Sequence, residues 1–217
     1  LWEHMTNRVS TIYLPDKKRP MLPPILSEDL CSLKQGEDRF AFMMSVKYDM
    51  QTFTQIDEPV FKNVLVHISK NYVYEDPKLE KNPAYKVLRT LAKTDDSHEV
   101  VAFWMIQMNT KSAEHLRDQG KGIFRIGRTN SSTSLNPIPP PSNKHLFFQW
   151  LGSEVVYSEV CAPHSQLGVD AYVHITSPIR RLVDILNQIW FQPVVSDLCQ
   201  AFLEKWTKNL DEVNRAT

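Results

Sequence analysis

A chain of 217 residues that is 42% hydrophobic and 10% aromatic can bury a core, and its length favours one domain over two. Its 25 basic and 25 acidic side chains cancel, so no overall field would hold a polyanion to the whole surface, and any such site has to be local. Cys31, Cys161 and Cys199 are odd in number, far apart and without Cys-x-x-Cys spacing, which argues against a disulfide framework or a zinc site and fits a reducing intracellular compartment, cytoplasm or nucleus.

The predicted elements follow in chain order. Ser10 to Leu33 is punctuated by prolines and reads as a fixed loop with a short helix around Ser27 to Ser32. From Arg39 the pattern turns two-periodic, with Phe40, Phe42, Met44, Val46 and Tyr48 alternating with smaller or polar residues, as in a half-buried strand. Val60 to Ile68 repeats this through Val64, Val66 and Ile68, so the two segments are expected to pair antiparallel. Asn82 followed by Pro83 starts a helix through Lys93. Ser97 opens a longer apolar helix through Val100, Val101, Phe103, Trp104, Met105 and Met108, which stops near Gly120 and Gly122 and is expected to be the long, buried central helix of the core. Residues 127 to 143, rich in Ser, Thr and Pro, read as an exposed, mobile loop. A strand is expected around Val169 to Ile175, then helices from Pro178 to Phe191 and from Ser196 to Arg215. Strands before and among helices, without regular alternation, indicate an α+β domain with an antiparallel sheet packed by helices. No stretch approaches the length of a membrane span, and the first residues lack the layout of a signal peptide.

The segment Tyr-Val-His-Ile-Thr-Ser-Pro-Ile-Arg-Arg, residues 172 to 181, carries the most chemistry. Thr176 or Ser177 suits an N-cap and Pro178 the first helical position. Amides of a first turn carry partial positive charge, so Arg180 and Arg181 would repel that end unless an anion such as a phosphate sat between them. The structural alternative is an ordinary capped helix in which Arg180 pairs with Asp184 one turn on.

This segment resembles the signature of the RNB family, the catalytic domain of the RNase II and RNase R exoribonucleases. Residues 8 to 33, which include Tyr13-Leu14-Pro15, Pro20-Met21-Leu22-Pro23 and Leu30-Cys31-Ser32-Leu33, look like a second block of that family. Met105, Asn109 and Ala113 resemble its buried helix, and His164 and Leu167 fall where it has a His and a Leu.

The resemblance implies processive 3′ to 5′ hydrolysis of single-stranded RNA to nucleoside 5′-monophosphates, assisted by metal ions, usually Mg²⁺, on a cluster of four aspartates. It makes Arg180 the catalytic arginine that steadies charge on the scissile phosphate. Tyr13 takes the place of an aromatic near the RNA 3′ end, and Tyr74 that of the aromatic associated with the final product, with Tyr72 its rival. Ser177, Arg181 and His174 join the substrate-binding candidates. Each tyrosine has a packing alternative with a wet hydroxyl, and His174 one as a satisfied strand-end histidine. The run Asp16-Lys17-Lys18-Arg19 could track an RNA backbone or be merely solvated.

Departures are as informative. No Asp-x-Asp-Asp run occurs, so no residue of this chain is assigned as a metal ligand. The family's aspartates lie upstream of the Tyr-Leu-Pro segment, and Leu1 is not an initiator Met, so the chain is expected to be a partial RNB domain, without that metal-binding segment or an S1 domain. Ala102 and Phe103 stand where the family has two glutamates, and the connection from Leu91 to Ser97 is short where further strands usually bring another stacking aromatic. The alternative function is therefore a catalytically inactive RNB-like scaffold, a structural or RNA-binding component of a larger assembly.

Overall fold

In the computed structural model, residues 8–128 and 154–216 are described, Arg128 and Glu154 by their backbone alone. They form two compact units, the first comprising residues up to Lys111 together with Thr176–Leu182, and the second Ser112–Ile175 together with Val183 onward.

The first unit begins with a small antiparallel ribbon, β1 (Ile12–Tyr13) and β2 (Lys18–Arg19), closed by a bond from the Leu14 amide to the Lys17 carbonyl at 2.8 Å. The short helix expected near Ser27 lies at Ile25–Leu30, entered from Pro23 and Pro24, and it is wound with π spacing: the Cys31 amide reaches back to the Leu26 carbonyl at 2.9 Å. Strands β3 (Asp38–Ser45) and β4 (Val60–His67) pair antiparallel as expected, in a register running from Asp38 opposite His67 to Ser45 opposite Val60.

Directly opposed residues share a face, which puts Phe40 with Leu65, Phe42 with Asn63 and Met44 with Phe61. Phe42, Met44 and Phe61 are half-buried on that face as the alternation predicts, but its end at Phe40 and Leu65 is not. Phe40 is 89% exposed and Leu65 62%. Alternation specifies which residues share a face, but burial needs a second layer, and a two-stranded ribbon brings none of its own.

Helix α1 (Pro83–Ala92) starts where the sequence indicates. The Asn82 side chain accepts from the Ala84 and Tyr85 amides, and Lys93 ends the helix at φ 55°. Helix α2 (Ser97–Asp118) is capped by Asp96, whose carboxylate accepts from the amides of His98 at 2.7 Å and Glu99 at 3.4 Å. It is buried along one side, at Val100, Asn109, Ser112, Ala113 and Leu116, while Val101 is 49% exposed. It is thus a long helix with one wet face rather than an axle enclosed all round.

The second unit takes up the end of α2, the antiparallel pair β5 (Phe124–Arg128) and β6 (Glu154–Ser158), and helices α3 (Leu182–Trp190, from Val183 onward), α4 (Asp197–Thr207) and α5 (Leu210–Ala216). Three expectations change here. Gly127 and Arg128, predicted to open the loop at 127 to 143, belong to β5, and residues 129 to 143 lie outside the described ones. Val169 to Ile175 forms isolated bridges, Val169 with His164 and Val173 with Phe124, instead of a strand. The helix predicted from Ser196 to Arg215 is two helices. Ser196 caps α4 as its sequence suggests, but the Asn209 side chain turns back to the Lys205 carbonyl at 2.6 Å while its own carbonyl accepts from the Glu212 amide at 3.0 Å, so it ends one helix and opens the next.

Ile123, Phe124, Val173, Ile175, Leu186, Leu203, Trp206 and Val213 fill this core at 2% exposure or less. Fully buried Asn187 crosses it, accepting from the Ile123 amide at 2.8 Å and donating to the Ile123 and His174 carbonyls at 3.0 Å each. Asn214 of α5 holds the Tyr157 backbone of β6 through both its side-chain atoms, at 2.7 and 3.0 Å. Gly127 has no room for a side chain, as a Cβ there would stand 2.9 Å from the His164 ring. The α+β class holds, realised among the described residues as three two-stranded antiparallel ribbons and their helices rather than one sheet.

Candidate functional site

The Thr-Ser-Pro-Ile-Arg-Arg motif folds differently from a simple capped helix. The Ser177 carbonyl accepts from the amides of Arg180 and Arg181, both at 3.1 Å, making a tight turn through Pro178, and α3 begins only at Leu182. The delay has a cause. The Thr11 amide bonds the Arg180 carbonyl at 2.9 Å, the Leu182 amide bonds the Val9 carbonyl at 2.8 Å, and Ser10 and Arg181 form a bridge. Residues 9–11 thus draw the two arginines into extended pairing, so neither Thr176 nor Ser177 is an N-cap and the Leu182 amide is not free for an anion.

Arg180 gains from this arrangement. Its backbone is pinned on both sides while its side chain is exposed and makes no hydrogen bond or ion pair to a described residue. Asp184, the partner that the helical alternative would give Arg180, is fully buried in the second unit. Within the first unit, Arg180 lines an open groove of about 900 Å³ together with Ser177, Tyr72, Tyr74, Tyr85 and Trp104. It is the one charged residue among the described lining residues. A lone guanidinium on an apolar, aromatic wall is weakly screened and offers a planar fork to a carboxylate or phosphate.

The tyrosines of this wall are not equivalent. Tyr72 has its hydroxyl held by the Asn82 side chain at 3.1 Å and its ring covered by the Lys70 ammonium at 4.8 Å. Tyr74 is 48% exposed and stacks on His98 with centroids 3.7 Å apart and planes inclined by 15°. Tyr85 is buried at 6% exposure, burial pushes its phenol above the usual range, and its hydroxyl has no hydrogen-bond partner. It therefore remains a neutral donor across the physiological range.

Of the residues singled out from sequence, the groove brings together Arg180, Tyr74, Ser177 and Tyr72. Tyr13 does not line it; it is 65% exposed on β1. Arg181 is half-buried beside Ser10. His174 belongs to the second unit, buried, with Nδ1 in a 2.6 Å hydrogen bond with the Tyr157 hydroxyl. The basic run is partly neutralised internally: Lys18 pairs with Glu28 at 2.8 Å, which holds the Glu28 carboxyl below its usual range, and Lys17 lies 4.0 Å from Asp16. Sequence reasoning missed Tyr85 and the groove role of Trp104 and Met105. Their helical spacing with Val100 and Val101 signals an apolar face, but that signal reads as core until the face is seen to be open.

Among the described residues no group of three or more His, Cys, Asp or Glu side chains converges to hold a metal ion, so the described residues do not fit the metal that the family resemblance implies. All three cysteines are free thiols, and no described helix is long and apolar enough to cross a membrane.

The family model described as RNB domain matches residues 1–78 and 130–197. Ribonuclease R of Chlamydia muridarum is 24% identical over 88% of this chain and 39% of its own length. Exoribonuclease 2 of Psychromonas ingrahamii is 25% identical over 75% of the chain and 26% of its own length. The fold is similar to Mycoplasma genitalium RNase R solved in complex with double-stranded RNA, at 19% identity and TM-score 0.77, covering 98% of this chain and 53% of that one. It is also similar to the same enzyme with ribose-methylated single-stranded RNA, at 18% identity and TM-score 0.74, covering 98% and 47%. The chain spans about two fifths of the length of the Ribonuclease R relatives it matches.

Proposed function

This chain belongs to the RNB domain family, and on that footing we propose that the protein containing it is a 3′ to 5′ exoribonuclease that hydrolyses single-stranded RNA to nucleoside 5′-monophosphates. One observation carries the assignment of the site: among the described residues Arg180 is unpaired and is the sole charge on a groove walled by aromatic rings. Its guanidinium would grip a backbone phosphate near the RNA terminus, where a fork of N–H donors makes paired charge-assisted bonds. Tyr74 would stack the terminal base, a contact every base can make and one that suits sequence-tolerant degradation. Ser177 sets the turn that aims Arg180. Tyr13 is assigned an outer contact with the RNA strand, and Arg181 and His174 the support of the motif rather than touch on substrate.

Relatives named Ribonuclease R and Exoribonuclease 2 support this reading. So does the match of the family model on both sides of the central segment. We take the chain as one part of an RNB domain and place the Mg²⁺ ligands on polypeptide outside it, in an intracellular protein.

A second reading has its own support. Ala102 and Phe103 of α2 are a methyl group and a ring packed edge-on against Trp104 at 5.2 Å, where the family resemblance calls for carboxylates. A catalytically silent scaffold within a larger assembly would tolerate that change. One experiment separates the two. The full-length protein with Mg²⁺ should shorten a 5′-labelled single-stranded RNA stepwise, and Arg180→Ala should slow it by roughly 10²- to 10³-fold, the usual cost of losing a preorganised donor. Unaltered activity in Arg180→Ala removes the catalytic assignment. Metal-independent binding without cleavage by the wild type favours the scaffold.

A further inference from the structure

The short connection between α1 and α2 leaves the groove without the additional aromatic that further strands would bring, yet a ring does face Tyr74. It belongs to His98, in the first turn of α2, stacked 3.7 Å from the Tyr74 ring at 15°. Three features hold the two rings together. The Asp96 carboxylate caps the helix start by accepting from the His98 and Glu99 amides, fixing where the imidazole leaves the helix. The next residue after Tyr74, Glu75, sits at φ 62°, a left-handed conformation that a non-glycine residue keeps only where its surroundings insist on it. Its amide is caught by the hydroxyl of buried Ser97, the residue before His98, at 3.2 Å. The chain on either side of the stack is therefore clamped to the other partner's neighbour.

We infer that His98 is a positioning residue for Tyr74, backing one face of its ring so that the other meets the 3′-terminal base of the RNA. The inference rests on the proposed function. Tyr74 lines the groove and His98 does not, so the imidazole covers a face the ligand does not use and leaves the groove side open. A half-exposed tyrosine without such backing would sample several rotamers, and ordering it on binding would cost affinity. The stack removes that cost beforehand. It also explains how a chain with one aromatic fewer than its family's usual clamp could retain a flat platform: the second ring is supplied from within the protein, behind the first, and the platform it creates is one-sided.

Fluorescence anisotropy with the full-length protein, divalent metal withheld to prevent cleavage, and two single-stranded oligoribonucleotides tests the assignment, one intact and one with an abasic 3′-terminal nucleotide. Wild type should prefer the intact strand by roughly tenfold, the scale of one base stacked on an aromatic. In His98→Ala the preference should fall to about twofold or less, through weaker binding of the intact strand with the abasic one unchanged. His98→Phe, which keeps a ring there, should restore the preference. His98 is exposed, so neither variant should unfold, and far-UV circular dichroism checks this. An unchanged preference in His98→Ala, equal weakening of both strands, or failure of His98→Phe to rescue overturns the positioning role while leaving RNA binding intact. A wild type that binds neither strand refutes the ribonucleolytic reading itself, and this inference with it.

Discussion

The two units of this molecule use their apolar side chains differently. The second is dense: Trp206, Phe124, Ile123, Leu186 and Val213 are all but inaccessible, and the buried Asn187 side chain is met by backbone partners. The first is open. It leaves Phe40, Leu65, Tyr13 and Tyr74 half to nearly fully exposed, yet it carries the arginine turn and the groove. Rigidity in one and accessible aromatic surface in the other is the division expected where stability and recognition make opposing demands on apolar side chains. Substitutions in the second unit should therefore be read in stability, and those at the groove in binding and rate.

The sharpest test of that division is Trp206→Ala. The indole is 1% exposed at the centre of the second unit, so truncation should cost about 3–5 kcal/mol, from lost transfer energy and the cavity left behind. Urea denaturation followed by circular dichroism measures it. A loss under about 1 kcal/mol would mean the core collapses freely around the gap, as a well-packed interior does not.

Asn187→Leu follows. The side chain is nearly isosteric, but its removal strands the Ile123 amide and strips a partner from the Ile123 and His174 carbonyls, all in buried surroundings. About 2–4 kcal/mol is expected, at 1–3 kcal/mol for each buried group left unsatisfied and with partial relaxation. Asn187→Asp should cost no less, because it offers the carbonyls no donor when ionised. A stable Asn187→Leu protein would show that water replaces the amide and that the unit is less dry than its burial implies.

How much of this was legible in the sequence differs between the same two regions. Caps and periodicity located most elements: Asn82-Pro83, Ser196, the alternation through Phe40 and Val64. What escaped was decided by long-range backbone pairing. The arginine turn has every local mark of a helix N-terminus, and only the bonds from Val9 and Thr11 delay the helix to Leu182. Likewise Val100, Val101, Trp104 and Met105 announce an apolar face, but whether that face meets a core or a groove depends on residues far away in sequence. The stack of His98 on Tyr74 leaves no pattern at all, since it depends on a strained turn at Glu75 and a serine twenty-two residues on. Local rules name the elements, and the site emerges where distant segments override them.

A pH titration examines the second unit from another direction. His164 is 1% exposed; Arg125 donates to its Nε2 at 3.2 Å, so the ring proton lies on Nδ1, which has no hydrogen-bond partner. Burial first, then the Arg125 charge, lowers its pKa from 6.5 to about 4. In the unfolded chain the same histidine takes up its proton near pH 6.5. Between those values the unfolded state binds more protons, so folding stability should fall as the pH drops from 6.5 to 4 and this contribution should level off below that. The full effect is on the order of 3 kcal/mol. Comparing the wild type with His164→Asn at pH 7 and pH 4.5 isolates it from the carboxylates common to both. Parallel profiles would show that the imidazole is hydrated in a way its burial does not indicate.

The smallest expected effect bears most directly on the open unit. Phe40 of β3 is 89% exposed opposite Leu65, and a side chain already in water loses little hydrophobic stabilisation when removed. Phe40→Ser should therefore change unfolding free energy by less than about 0.5 kcal/mol, within the usual range for surface positions. If it costs more than about 1 kcal/mol, the ring is covered in solution, and the contrast between a dry unit and an open one loses its clearest marker. An intermediate step separates local from remote causes. Leu65→Ser on the paired strand should be similarly silent if both faces meet water, whereas a deficit in both, non-additive in the double variant, would show the two side chains sharing one covering layer. Silence in both would leave this ribbon stabilised by its other face and by its ladder of hydrogen bonds, consistent with a unit whose apolar surface is there to be used rather than buried.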